Sequence, residues 1–168
     1  MRKIALLLTL LLMAVTPSFA DKKQKLNEDT ERFRYDIEYC RNSDGFLLVK
    51  VWSYSKKSHL ALQQARKNAV HGVIFRGYAA TDQGYASISP LVSDPTVESV
   101  HADFFRAFFD EESGSYMRYA PSVLDSSAKI IKVGKEYKAG VVVTVNHRLL
   151  RQHLEEAGII KSFGGGLF

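Results

Sequence analysis

The stretch 46–78 constrains the fold more than any other part of the chain. It opens with the apolar run FLLVKVWSY, continues through alanines at Ala61, Ala65 and Ala69, and closes with the apolar run VIFRGY. The two runs are typical of strands, while alanines four residues apart indicate one narrow face of a helix. Small residues on that face let a helix lie close to a sheet. The stretch therefore predicts a sheet with at least one helix packed against it.

The first of these strands is apolar on both of its faces. Leu47, Val49 and Val51 lie on one face, and Trp52 lies on the other, which carries a single charged residue, Lys50. A strand of this kind either is central, with layers above and below it, or presents one face to a partner. Both interpretations stay open, and in the second the partner contacts the Trp52 face.

The boundaries of the next elements follow from caps and turns. Ser58 is a favourable N-cap and Gly72 a favourable C-terminal stop, so the sequence between them predicts a helix of about four turns. Residues 73–78 follow almost without a connection, and their apolar character predicts a second strand of the same sheet.

Upstream of this stretch, apolar and charged residues alternate strictly. The period of two predicts a half-buried strand, and its inward residues are expected to be Phe33, Tyr35, Ile37 and Tyr39. Asp44 and Gly45 follow, and this dipeptide is a strong signal for a hairpin into the next strand.

Three further elements are predicted toward the C-terminus. Residues 116–120 indicate a short strand, and residues 129–133 and 136–145 indicate a hairpin whose second arm is rich in β-branched residues. Asn146 is a favourable N-cap for a last helix, which Gly158 is expected to end.

A second helix is predicted to begin at Asp94 and Pro95, because aspartate caps a helix and proline fits its first turn. Its apolar arc is wide and rich in aromatic residues, and it contains Val97, Val100, Phe104, Phe105, Ala107, Phe108 and Phe109. His101 also falls inside this arc. Either it is a core histidine with a hydrogen-bond partner, or it lines a cavity and acts as a general base or ligand contact, with Cys40 nearby.

The two ends of the chain differ from the middle. Arg2 and Lys3 precede an apolar run of twelve residues and a small-residue site at Ala20, which predicts a cleaved export signal over residues 1–20. Residues 21–31 are charged and indicate a flexible lead-in. A single domain is expected over 32–160, followed by a glycine-rich flexible tail over 161–168. The chain is then periplasmic or secreted, and no later segment is apolar for long enough to span a membrane.

Composition excludes several classes of function. The net charge is +5, and it falls to +3 without Arg2 and Lys3, which gives no indication of a nucleic-acid partner. Cys40 is the only cysteine, so an internal disulfide is impossible, and the thiol is either a buried apolar group or a nucleophile. His147 and His153 do not have a metal-binding spacing, and the HExxH, CxxC and GxSxG motifs are absent. We therefore predict no catalytic, cofactor-binding or metal site, and no cofactor.

Two segments carry a resemblance to a known group. LVKVWSYSKKSHLALQQARKNAVHGVIFRGY and VGKEYKAGVVVTVNHRLLRQHLEEAGI together resemble small exported bacterial envelope proteins of the LPP-type lipoprotein and flagellar-accessory group. The resemblance implies a small α+β module that serves in envelope assembly, and it supplies no catalytic residues. This chain departs from the group by lacking a lipid-acceptor cysteine and by a longer insert over residues 79–128.

Together these patterns predict a single α+β domain with a mixed or antiparallel sheet of five or six strands and about three helices. The leading functional hypothesis is an exported, non-enzymatic envelope module that binds an envelope protein or itself, through aromatic surface around Trp52 and the loop 79–95. The alternatives are a carrier or sensor of a small apolar ligand beneath the phenylalanine-rich helix, and a hydrolase that uses His101 or Cys40. The candidate partner or ligand contacts are Trp52, Tyr54, Tyr78, Tyr85, His101, Phe104 and Phe108.

Overall fold

An antiparallel sheet with helices against one face forms the described part of the protein, residues 33–80 and 84–162 of a computed structural model. Its strands are β1 (Tyr35–Ser43), β2 (Phe46–Ser55), β3 (Ser122–Val133) and β4 (Glu136–Val145), in the spatial order β1-β2-β4-β3. The predicted export signal 1–20, the lead-in 21–31 and residues 163–168 of the predicted tail lie outside the described residues.

The predicted fold class, α+β with an antiparallel sheet, is confirmed. Neighbouring strands pair antiparallel throughout. β3 is interrupted by a register shift between Leu124 and Lys129, so its two halves pair separately with β4. The sheet thus has four strands, or five when these halves are counted apart. Both predicted hairpins are present, with Asp44 (φ 50°) and Gly45 (φ 86°) turning the first and Gly134 (φ 62°) turning the second.

The three predicted helical regions are helical, and two of them are divided. The helices are α1 (Ser58–Gln63), α2 (Ala65–His71), α3 (Val97–Val100), α4 (Ala102–Phe108) and α5 (His147–Glu156). Gln64 separates the first pair and His101 the second. The side chain of Asn146 caps α5 as predicted, by accepting a hydrogen bond from the backbone N–H of Leu149 at 3.1 Å. In the described ranges, no helix is both long and apolar enough to cross a membrane.

The prediction of a strand over 73–78 is wrong. Gly72–Arg76 is a π-helix that continues α2, and Tyr78 forms only an isolated antiparallel bridge with Ile88. A short apolar run does not distinguish a strand from a buried helical turn, because burial on all sides removes the periodicity of both. Gly72 is helical (φ −60°) rather than a stop, and the chain turns away at Gly77 (φ 61°) instead.

The short strand predicted over 116–120 is also wrong. Ser115–Tyr119 forms a 3₁₀ helix. Residues three apart lie on the same side of a 3₁₀ helix, and Tyr116 and Tyr119 are both buried. The spacing of three between the two tyrosines indicates a 3₁₀ helix, whereas the aromatic character of the run suggested a strand.

A β-bulge changes the face of Tyr39. The register of β1 against β2 shifts between Ile37 and Tyr39, which leaves Glu38 as the extra residue. Tyr39 then pairs with Lys50. It therefore lies on the opposite side of the sheet from Tyr35 and Ile37, contrary to the prediction from strict alternation.

The core lies between one face of the sheet and the helices. On β2, residues 47, 49, 51, 53 and 55 are buried, while the alternating residues 48, 50, 52 and 54 are half-buried. Val141, Val143 and Val145 of β4 fill the same core at 0% exposure, as does the predicted alanine face, Ala61, Ala65 and Ala69. Helices therefore cover one face of the sheet, and the face that carries Trp52 has no layer of described residues over it.

The phenylalanine-rich region only partly follows the predicted arc. Phe105, Phe108 and Phe109 are buried, but Val100 is 72% exposed. The helix is interrupted at His101 (φ −106°, ψ 34°), which changes the direction of the residues that follow. An uninterrupted helical wheel is therefore the wrong template for this segment.

Candidate functional site

The uncovered face of the sheet is centred on the indole of Trp52. Trp52 on β2 pairs with Gly140 on β4, and its ring lies across that glycine. A Cβ atom built on Gly140 would lie 2.5 Å from the ring atoms Cε3 and Cζ3. Only glycine leaves room for the indole to lie flat on the sheet, and this position gives Trp52 a fixed, half-buried ring.

Carboxylates on β1 hold the aromatic side chains of β2 in place. The indole N–H of Trp52 donates to Oε2 of Glu38 at 2.6 Å. The phenol of Tyr54 donates to Oδ2 of Asp36. Because both rings are tethered at their polar ends, their apolar surfaces keep a constant orientation toward solvent.

Two lysines lie beside the same rings. The ammonium groups of Lys50 and Lys138 are 5.3 Å and 5.0 Å from the centre of the Trp52 ring, within the range of cation–π attraction. Lys138 also lies 3.6 Å from Asp36, and its interactions with Tyr54 and Asp36 raise the pKa of its ammonium above the ordinary value. The aromatic centre of this face is thus surrounded by charged side chains of both signs, Lys50 and Lys138 together with Asp36 and Glu38.

Exposed aliphatic residues extend the face onto the edge strand β3. Leu124 pairs with Val142 and is 44% exposed, while Ile131 pairs with Lys138 and is 39% exposed. Val133 lies two residues farther along and is 53% exposed. Directly paired residues project to the same side of a sheet, so these side chains share the side of Trp52 and Lys138. We call the surface formed by Trp52, Tyr54, Leu124, Ile131 and Val133 the open face.

Tyr78 and Tyr85, two further candidate contacts, lie beside β1. The phenol of Tyr78 donates to the carbonyl oxygen of Glu38 at 2.7 Å. The ring of Tyr85 stacks on Tyr39, with 4.8 Å between centroids. Both tyrosines are half-buried. Tyr78 is joined to the Trp52 region through Glu38, and Tyr85 lies next to it through Tyr39.

The remaining candidates belong to a different part of the molecule. Phe108 is 2% exposed and packs at 5.8 Å from the ring of His153 on α5. Phe104 is half-buried and lies 5.9 Å from the same histidine. His101 is half-buried at the junction of α3 and α4, so the interpretation of His101 as a core histidine is wrong. The structure brings Trp52 and Tyr54 together and separates them from the phenylalanine-rich helices.

Sequence reasoning missed the buried histidine, which is His71. Its Nδ1 lies 2.7 Å from the phenol oxygen of Tyr35, and its Nε2 lies 3.2 Å from a carboxylate oxygen of Glu98. Its ring stacks on Phe33 with 3.6 Å between centroids. These partners are far apart in the sequence, and no motif connects them.

The electrostatics of this cluster follow from burial. Desolvation lowers the pKa of His71 and raises the pKa of Tyr35, and the hydrogen bond from His71 lowers the pKa of Glu98. A neutral imidazole with its proton on Nε2 satisfies every partner, since it accepts from Tyr35 and donates to Glu98. Because His71 and Tyr35 are 5% and 4% exposed, a substrate has no access to them, and the cluster is a structural one.

Cys40 and His101 form no catalytic pair. Cys40 is 4% exposed, and burial raises the pKa of its thiol to about 12. It lines an apolar cavity between β1, β2 and the π-helix, to which His101 does not contribute. The cavity volume is about 10 Å³, the room that one water molecule needs. No group of three or more metal-binding side chains occurs in the described ranges.

Comparison of the chain with protein-family models, with curated proteins and with solved structures gave no match.

Proposed function

We propose that the chain is an exported bacterial envelope protein that acts as a non-enzymatic binding or assembly module. The open face is the surface that contacts its partner, which is another polypeptide of the envelope. The observation that carries this proposal is the one-sided packing of the sheet. Helices bury one face of the sheet, while Trp52, Tyr54 and the exposed residues of β3 are left together on the other.

The composition of the open face supports a protein partner. Interfaces are enriched in Trp and Tyr, which supply a large rigid surface at a small cost in conformational entropy. Trp52 is already fixed by Gly140 and Glu38, so little freedom is lost when a partner covers it. The surrounding lysines supply a polar rim. Pre-organised aromatic surface with an aliphatic border is the arrangement expected at the centre of a contact.

Export is supported by the sequence alone. The positive start, the apolar run of twelve residues and the small-residue site at Ala20 have the organisation of an export signal. The resemblance to small envelope proteins agrees with this location. An envelope protein whose described residues show an aromatic surface and no metal-binding cluster is then expected to act through binding.

Two features that the other hypotheses could use are unfavourable in the described residues. The cavity beside Cys40 has room for about one water, which is too little for a drug-sized ligand. A hydrolase that uses Cys40 needs an accessible thiolate, and the thiol is buried with a raised pKa.

A comparison of two matched variants tests the proposal. Ile131→Asp places a charge on the open face, and Leu149→Asp places the same charge on α5, where Leu149 is exposed to a similar extent (47% against 39%). Each protein is immobilised and exposed to envelope extract, and the retained polypeptides are identified. We expect the wild type and Leu149→Asp to retain the same polypeptide, and Ile131→Asp to lose it.

Circular dichroism and thermal unfolding of the three proteins serve as controls. Exposed substitutions are expected to change the free energy of unfolding by less than about 0.5 kcal/mol. Equal retention by Ile131→Asp and the wild type, with both folded, contradicts the use of the open face.

A further inference from the structure

The two edges of the sheet differ in whether their outward backbone groups are hydrogen-bonded. At the β1 edge, side chains supply hydrogen-bond donors to the outward carbonyl groups. Arg76 donates to the carbonyl oxygens of Tyr35 and Phe33 at 2.9 and 3.3 Å, and Tyr78 donates to that of Glu38 at 2.7 Å. The first part of that edge, up to Glu38, is therefore closed to a further strand.

The β3 edge is open over residues 129–133. Within the described part of the chain, no hydrogen bond from a side chain or loop reaches the backbone of these residues, which pair only with β4. Upstream, Leu124 is already engaged, because its carbonyl oxygen accepts from the hydroxyl of Ser127 at 2.6 Å. An unpaired row of N–H and C=O groups is a template for an added strand. The register shift before Lys129 limits that template to five residues, about 16 Å in length.

Both sides of this short edge are apolar. Ile131 and Val133 project to the open face, and Ile130, which pairs with the buried Ala139, projects to the opposite side and is 50% exposed. An added strand would therefore find aliphatic neighbours on its two faces. Cross-strand pairs of this kind contribute about 0.2–1 kcal/mol each.

The charge of the edge decides which occupant fits. Lys129, Lys132 and Lys135 are exposed and form no ion pair in the ranges described. A second copy paired through the same edge would bring two sets of these lysines together, and like charges oppose such pairing. An extended segment that carries acidic residues would instead neutralise them.

We propose that residues 129–133 bind an extended, acidic segment of the partner polypeptide, which adds to β3 as a further strand. This inference rests on the proposed function and names the chemistry of the partner. Main-chain hydrogen bonds supply the pairing, and the lysines select acidic side chains over others. The added strand extends the sheet next to Ile131 and Val133, so one partner can cover both the edge and the open face.

A defined peptide tests this proposal without a purified partner. The probe is a short synthetic peptide in which glutamate alternates with valine, and its affinity for the full chain is measured by calorimetry. The control peptide has the same sequence with every backbone nitrogen methylated, which removes the main-chain donors of both its edges and keeps its charge. We expect the first peptide to bind at least about tenfold more tightly than the second. We also expect slower amide hydrogen exchange in residues 129–133 of the chain.

A second comparison isolates the lysines. The double variant Lys129→Glu, Lys132→Glu is expected to bind the acidic peptide about tenfold more weakly. The control variant Arg148→Glu, Lys161→Glu makes the same change in net charge on exposed residues at α5 and beyond it. It is expected to bind the peptide like the wild type.

Four results would overturn the inference. Two concern the peptides: the methylated peptide binds as tightly as the first one, or neither peptide binds. Two concern other occupants: the chain associates with itself and the lysine variant abolishes this association, or the chain binds vesicles of anionic phospholipid through these lysines and does not bind the peptide. If the peptide fails while Ile131→Asp still abolishes retention of an envelope polypeptide, the proposed function stands and the acidic strand does not. If both tests fail, the proposed function fails as well.

Discussion

Trp52 lies so close over Gly140 that a Cβ atom at position 140 would come within 2.5 Å of its indole ring. The two residues are direct partners across β2 and β4. Glycine weakens a strand interior, and its presence there often marks a close approach by another group. Here that group is the aromatic ring at the centre of the open face.

Gly140→Ala is predicted to displace the indole from the sheet. The added methyl group cannot be accommodated beneath the flat ring, so Trp52 must rotate and lose its hydrogen bond to Glu38. We expect a loss of about 1–3 kcal/mol in the free energy of unfolding and a red-shifted emission of Trp52. It is the only tryptophan in the chain, so the fluorescence reports this site alone.

A double-mutant cycle separates this contact from a general effect on β4. In a Trp52→Ala background the methyl group of Gly140→Ala meets no ring, so the second substitution is expected to cost much less. Equal costs in the two backgrounds would show that the ring does not lie where the structure places it.

Stability is predicted to fall as the pH is lowered from about 7 to about 5, in part because of His71. The pKa of His71 is lowered by burial, whereas in the unfolded chain it returns to about 6.5. The unfolded state therefore binds the proton more readily, and the stabilisation is present above about pH 6.5 and is lost as the pH falls. Urea unfolding at several pH values measures this slope.

The variant His71→Gln isolates the contribution of this residue. Desolvation also lowers the pKa of His147, so the wild-type slope contains more than one histidine. We expect a shallower slope in His71→Gln than in the wild type. Measurements above about pH 5 keep Glu98 ionised in both states. An identical slope in His71→Gln and the wild type would contradict a buried neutral imidazole.

Cys40 is predicted to react with iodoacetamide only when the chain opens. The thiol is 4% exposed and its pKa is raised to about 12, so the thiolate that reacts is scarce and shielded. Labelling followed by mass spectrometry is expected to be slow in buffer and rapid in urea. Rapid labelling of the folded protein would contradict a shielded thiol and would support Cys40 as a nucleophile.

Local signals in the sequence predicted much of the sheet. The continuous apolar run of β2, the turn residues Asp44 and Gly45, and the cap Asn146 each depend on neighbours within a few positions. Such features are visible without knowledge of the rest of the chain. The alanine face over 61–69 likewise indicated the close helix–sheet packing that the structure shows.

Features set by distant contacts could not be predicted in this way. The bulge at Glu38 reverses the face of Tyr39, and a single extra residue leaves no mark on the alternation that precedes it. The run 73–78 is helical because the core encloses it, and enclosure removes the periodicity that separates helix from strand. His71 was missed in favour of His101 because its partners, Tyr35 and Glu98, come from separate elements.

The candidate site likewise contains residues that the sequence predicted and residues that it did not. Trp52 and Tyr54 were recognisable as aromatic residues on the second face of an apolar strand. The exposure of Leu124 and Ile131 was not recognisable, because it depends on the position of β3 at the sheet edge. Strand order is a property of the whole fold, and the local pattern of β3 does not contain it.

Site-specific photo-cross-linking tests the central claim most directly. A photoreactive amino acid is placed at position 131 on the open face, at position 133 beside it, or at position 149 on α5, and each protein is irradiated in envelope extract. We predict that positions 131 and 133 cross-link to the same polypeptide and that position 149 does not. Cross-linking of that polypeptide at position 149 alone, or of none at positions 131 and 133, would contradict the open face as the binding surface.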